Sequence, residues 1–338
     1  MIPAILTSVL FAMSAVSAGR STRLLGAGPA NLCRLTLATG FLALWAHTFG
    51  YGLTGVGLPW LFVSGVIGFG LGDLALYGAY YRLGPRLGVL LCLCLAAPLG
   101  AMIEWAWLGT RLTLYQILWG ATILVGVFAA LAPDTRTAIG ARAWGIGILL
   151  GAIAAFGQGS GAVLTRKAFD VARQAGQHID GGTAAYQRIL GGLLLTVIVL
   201  LLNHWRTSRV EGVGLPNAKP CVGDPVPPSN RGQDDRDTGM PAERGRDTRD
   251  TTSATDRPWR RAWPWVVANA LAGPALGVAC YQWALAIAPT GIVLAIVATT
   301  PLVVIPFTVV LDGERPTARS LVGGAVAVLG AAALAYGK

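Results

Sequence analysis

The side chains best equipped for chemistry in this 338-residue chain are few and widely separated. Asp73 is the sharpest of them, because it follows a stripe of small residues (Gly65, Gly68, Gly72) deep in an apolar run. An ionised Asp at the centre of a bilayer costs about 3 kcal/mol on insertion scales, so it must face a cavity or a partner. Two roles fit. It is either a proton or substrate-cation site, with Tyr77 one turn further on the same face to hydrogen-bond a ligand, or a structural carboxylate bonded to a neighbouring helix. Arg34 and Arg188 hold corresponding places in two other apolar segments, where they either receive an anionic substrate or snorkel to the interface. Glu104 lies a turn from the end of its segment, in Glu104-Trp105-Ala106-Trp107, and reaches the interface on the plainer reading. Gln158, Asn269 and Gln282 are neutral polar groups able to select a substrate or to bond between helices. Tyr281 and Trp283 offer an aromatic wall to an organic cation, or pack as interfacial aromatics.

These residues need a scaffold, and an internal repeat supplies it. Tyr77 and Gly84-Pro85 match Tyr281 and Ala288-Pro289; Pro98 falls on Pro301, Leu108 on Leu311, Arg111 on Arg315, Gly120 on Gly324 and Gly126 on Gly330. A near-constant offset over such a span marks a repeated unit. Each half reads as five apolar helices, and an odd number of crossings forces the second half to enter the membrane upside down. Repeats of this kind place a substrate site near the midplane, where the halves meet. Pro98 and Pro301 each remove a backbone donor in mid-membrane, which is tolerable only against protein or a water-lined cavity. They are candidate hinges, or static kinks.

Composition points the same way. The chain is 54% hydrophobic and 12% charged, with a mean hydropathy of +0.59, outside the range of soluble domains. Residues 204–261 hold eleven of the 26 Lys and Arg and nine of the 16 Asp and Glu. Outside them, apolar runs of about 20 residues are each long enough to cross a bilayer. The boundaries follow: 1–133 for helices one to five, 134–203 for helices six and seven, 204–261 for a disordered polar linker, and 262–338 for helices eight to ten. Arg166 to Gly182 reads as a polar loop between helices six and seven. The net charge of +10 comes without a basic stripe or RNA-binding motif, so nucleic acid is not expected as a partner. Cys33, Cys92, Cys94 and Cys280 lie in apolar helices and Cys221 in the linker, without metal-ligand spacing. Ser14 to Ala18 resembles a leader cleavage site, but no Lys or Arg precedes it. No Ser/His/Asp set, paired carboxylates or nucleotide-binding loop argues for an enzyme, and no cofactor is expected.

The pattern Pro301…Leu311-Asp312-Gly313-Glu314-Arg315-Pro316-Thr317…Gly324…Gly330, preceded by Tyr281 and Ala288-Pro289, resembles the second EamA repeat of the drug/metabolite transporter superfamily. The first repeat shows the same skeleton from Gly72-Asp73 through Gly84, Pro98 and Leu108-Gly109 to Gly126. It departs at Gly109-Thr110-Arg111, where the family often has an acidic residue, so Glu314 has no counterpart there. Glu314 itself reads as a helix cap. The resemblance implies an all-α integral membrane protein of ten transmembrane helices in two inverted five-helix repeats. Helices one to four and six to nine then surround a central cavity, with five and ten outside as support. It further implies a multi-pass protein of the cytoplasmic membrane that moves small organic metabolites (amino acid, amine or drug-like) by alternating access, with proton coupling as an option. A homodimer through helices five or ten is compatible with it. The opposing class is a non-transporting intramembrane enzyme or scaffold. The resemblance implies cytoplasmic termini, whereas the loop arginines lean the other way, with eight basic residues on odd-numbered loops against five on even-numbered loops and tail.

Overall fold

Leu, Val, Ala and Gly dominate the runs between loops, and in a bilayer such runs satisfy their backbone groups only as helices. The computed structural model describes residues 1–25, 27–83, 85–131, 141–211, 256–312 and 317–336, and among them no strand occurs. Ten membrane-length helices follow in order: α1 (Ile2–Leu25), α2 (Ala27–Phe49), α3 (58–83), α4 (Pro85–Leu108), α5 (Leu114–Leu131), α6 (Ala141–Gln174), α7 (Gly181–Glu211), α8 (256–287), α9 (290–312) and α10 (Ala318–Tyr336). Nine are apolar enough to span by composition alone. The tenth, α2, is diluted by Asn31, Arg34 and His47 but has 23 residues.

Three helices are interrupted, each for a local reason. In α3 the segment Val66–Gly72 is π-helical and ends at Asp73. In α8 the segment Leu271–Ala275, with Gly273-Pro274 at its centre, is π-helical as well. The repeat offset of about 204 residues lays one wide turn on the other, and such turns concentrate at functional sites. In α9 the helix breaks between Val297 and Thr300. Pro301 has no N–H to offer the Val297 carbonyl, and the Thr300 hydroxyl donates to that oxygen instead, at 2.7 Å. Its counterpart Pro98 leaves α4 unbroken.

Packing is set by glycines where helices touch. A Cβ on Gly157 of α6 would sit 2.9 Å from the Gly72 Cα of α3, and one on Gly65 would strike the Arg188 carbonyl of α7. At Gly126 of α5 a Cβ would lie 2.6 Å from the Ala327 nitrogen of α10, and at Gly323 it would meet the Gly126 carbonyl at 2.6 Å. α5 and α10 therefore pair at backbone distance, and the Tyr115 hydroxyl donates to the Ala333 carbonyl at 2.8 Å. The largest core lies where the first half of α9, Thr290–Val297, is buried on every side against α1, α4, α5, α6 and α8.

Two expected boundaries are corrected. The polar loop expected from Arg166 continues α6 to Gln174, because no Gly or Pro intervenes and Ala168, Phe169 and Ala172 form a buried face. The helix stops where Gly176 adopts φ +70, a left-handed turn suited to glycine. The expected linker is helical at both ends, since α7 runs to Glu211 and α8 begins at Asp256. Residues 212–255, and the loop holding Glu314, lie outside the described residues.

Candidate functional site

A cavity of about 330 Å³ lies between α1, α2, α3, α7 and α8, the helices that bring the two repeats together. Arg34 and Asp73 line it, along with Ser14, Phe69, Thr196 and the Gly273-Pro274 pair of the second π segment. Both wide turns thus border or adjoin one chamber. The close contact of Gly72 with Gly157 carries the next residue of α6 to the carboxylate, and the Gln158 amide donates to Asp73 Oδ1 at 3.1 Å. Across the chamber Ser14 Oγ donates to Asn269 Oδ1 at 2.7 Å, joining α1 to α8. Asp73, Arg34, Gln158 and Asn269 are therefore drawn towards one place from four helices. Of Tyr77, only the backbone lies within the described residues.

Arg188 does not snorkel. It is 1% exposed, and its guanidinium is wedged beside the Phe69 ring at 4.8 Å and the Tyr281 ring at 5.5 Å. The glycines make room for it: a Cβ on Gly68 would come within 2.7 Å of Nη2. Interfacial placement fails because residue 188 falls seven residues into α7, where α3 and α8 enclose it. Tyr281 is buried at this place, with Phe11 of the chamber wall 6.5 Å from its ring. Trp283, two residues on, points elsewhere and is half exposed. Gln282 is wholly buried, and neither amide atom has a hydrogen-bond partner among the described residues.

Glu104 is also misplaced by sequence reasoning. Instead of reaching the interface it is 1% exposed, with Oε1 2.6 Å from Arg166 Nε of α6, and Oε2 accepts the Thr290 N–H at 2.6 Å. A carboxylate at the first turn of α9 complements the free N–H groups and dipole there. Arg166 also donates to the Leu285 carbonyl at 3.0 Å and to the Ala288 carbonyl, filling acceptors left free where α8 ends. One ion pair thus joins α4, α6, α8 and α9 at one end of the bundle, outside the chamber. Arg166 escaped the sequence because it read as a loop residue.

The same end is tied further. The Gln187 amide donates to the Gly52 and Thr54 carbonyls at 2.9 and 3.0 Å, and the Ser64 hydroxyl to the Gly161 carbonyl at 2.6 Å. Asp180 caps α7 by accepting from the Gly182 and Thr183 nitrogens at 2.8 and 3.0 Å, and takes the Trp45 indole N–H at 2.9 Å. Partial burial pushes the Asp180 carboxyl up, but the donors from Thr183, Trp45 and Gly182 outweigh it and hold the group below the usual carboxylate range.

Pro98 faces outward into a groove of about 690 Å³ between α4, α5 and α9, together with Trp105 and Arg111. Pro301 stands at the α9 break. The two prolines are therefore not equivalent in their surroundings.

The model of the EamA-like transporter family matches residues 252–336, which contain α8, α9 and α10. A protein known from its crystal structure is similar in fold, with a TM-score of 0.63 over 98% of this chain and 94% of that one, at 17% identity. No curated protein matches the chain.

Proposed function

We propose that the chain, a multi-pass membrane protein whose residues 252–336 match the EamA-like transporter family, is a transporter of the drug/metabolite kind that moves a small organic metabolite through the Arg34–Asp73 chamber by alternating access. The observation that carries this reading is the meeting of Asp73, Gln158 and the two repeat-related π segments around one cavity between the halves. Glu104 and Arg166 seal one end of the bundle, while the chamber is lined by the other halves of α1 and α2 and by the middle of α8. Transport requires that seal to break as the chamber closes, with the wide turns of α3 and α8 and the α9 break at Pro301 taking up the change. Asp73 carries the coupling proton, and the Gln158 amide follows its charge state. The division into repeats 1–133 and 134–338, interrupted by the linker, is part of the same proposal, as is the cytoplasmic membrane as its location.

The test is purified protein in proteoliposomes with a pH-sensitive dye inside, supplied with pooled amino acids, amines and nucleotide precursors. Substrate-dependent proton movement is expected, and Asp73→Asn should abolish it while leaving insertion intact. Flux without proton movement in the unaltered protein would remove the coupling role. Flux in neither protein would remove the transport reading.

A further inference from the structure

Resting on the transport reading above, we infer that Arg188 forms an anion subsite at the back of the chamber, and that the transported metabolite bears a carboxylate.

Asp73 and Arg34 both line the chamber, and the Asp73 carboxylate interacts electrostatically with Arg34 and with Arg188. Glu104 and Arg166 cancel in their own ion pair at the end of the bundle. One carboxylate against two guanidiniums leaves a single positive charge at the chamber and its back wall, and Arg188 is the more deeply buried of the two cations. It is 1% exposed, and although the Tyr281 side chain lies against it, Nε and Nη1 have no hydrogen-bond partner among the described residues. Buried donors are nearly always satisfied, and an unsatisfied one in a native fold needs an explanation. An acceptor that arrives with substrate supplies it.

Position supports this. Phe69 belongs to the chamber wall, and its ring stands 4.8 Å from the guanidinium carbon on the other side. Tyr281 flanks the guanidinium and touches Phe11, another wall residue. Arg188 therefore sits one aromatic ring behind the chamber surface, and Phe69 belongs to the wide turn of α3. A rotation of that side chain opens the guanidinium to a ligand. The planar fork of Nε and an Nη donor matches the two oxygens of a carboxylate, a match an ammonium does not reproduce. The rest of the wall, Leu35, Ile189, Leu193 and Val278 among it, receives an apolar body.

The substrate class is read with three pools of labelled probes in proteoliposomes: neutral amino acids, the carboxylates obtained by removing their amino groups, and the amines obtained by removing their carboxyl groups. Flux is expected from the pools that carry a carboxylate and not from the amines. Arg188→Gln should lower that flux at least tenfold, and Arg188→Lys should restore only part of it. Because a variant at a buried arginine can fail to fold, Gly68→Ala provides a second reading. It keeps the charge and favours the helix, but places a methyl against Nη2. A raised KM for the carboxylates with little change in maximal rate is expected. Amines moving as fast as carboxylates, or Arg188→Gln and Gly68→Ala both keeping the unaltered protein's kinetics, overturns the subsite while the transport reading stands. No flux from any pool overturns both.

Discussion

Removing Arg166 should destabilise the bundle more than neutralising Glu104, although the two form a single ion pair. In Arg166→Met the carboxylate of Glu104, whose side chain is 2% exposed, loses its counter-charge and keeps only the Thr290 N–H, while the Leu285 and Ala288 carbonyls lose a donor. Breaking a buried pair from one side costs about 3–5 kcal/mol. In Glu104→Gln the amide oxygen still accepts from Thr290, and Arg166, 16% exposed, keeps its two carbonyls and some contact with water. The loss is then that of a charge-assisted bond, about 1.5–3 kcal/mol. The double variant should fall short of the sum by about 1 kcal/mol or more, because each single change already removes the shared interaction. Reversible unfolding in mixed micelles, followed by circular dichroism, gives all four free energies. A cost for Arg166→Met within about 1 kcal/mol of zero, or a double variant equal to the sum, would refute the joint as drawn. Loosening it should also favour the form with this end open. A cysteine at the fully buried position 290, in a background without the other cysteines, should then react faster with an impermeant maleimide in Arg166→Met.

Gly126→Val should force α5 from α10, since even a Cβ would lie 2.6 Å from the Ala327 nitrogen; the expected loss of about 1–3 kcal/mol is readable in the same unfolding assay. Asp180→Ala removes the cap of α7 and should cost about 0.5–2 kcal/mol. The folded-state pKa of Asp180 is depressed, so its contribution is complete above its unfolded pKa of about 4 and disappears as pH falls through the lower folded value. Thermal stability of the unaltered protein should therefore drop below about pH 4, and Asp180→Asn should flatten that part of the profile; equal profiles would exclude the cap as its source. Ser14→Ala leaves Asn269 Oδ1 without its donor and should lower stability by about 1 kcal/mol, measured in the same way.

Much of this protein is written locally. Hydropathy places nine of the ten helices, because a chain in lipid must satisfy its own backbone groups. The repeat of Tyr77–Leu131 in Tyr281–Tyr336 is legible in the letters alone. Asp73 stands out because a charge after a glycine stripe in an apolar run has few tolerable places, and its contact with Gln158 follows from glycines visible on both helices. What a polar side chain meets is not local. Glu104 lies near a helix end in the sequence, yet its partners are Arg166, 62 residues on, and the Thr290 N–H, 186 residues away. Arg188 and Arg34 share a register in the repeats, but only the closing of α3 and α8 around one of them turns an apparent interface anchor into an enclosed cation. Pro98 and Pro301 are equivalent letters with different surroundings, because Pro98 sits in an unbroken α4 and faces a groove, whereas Pro301 follows the break in α9. The chain's own periodicity determines helices; the faces they present to one another, set by contacts between distant segments, decide which charges become a seal and which a site.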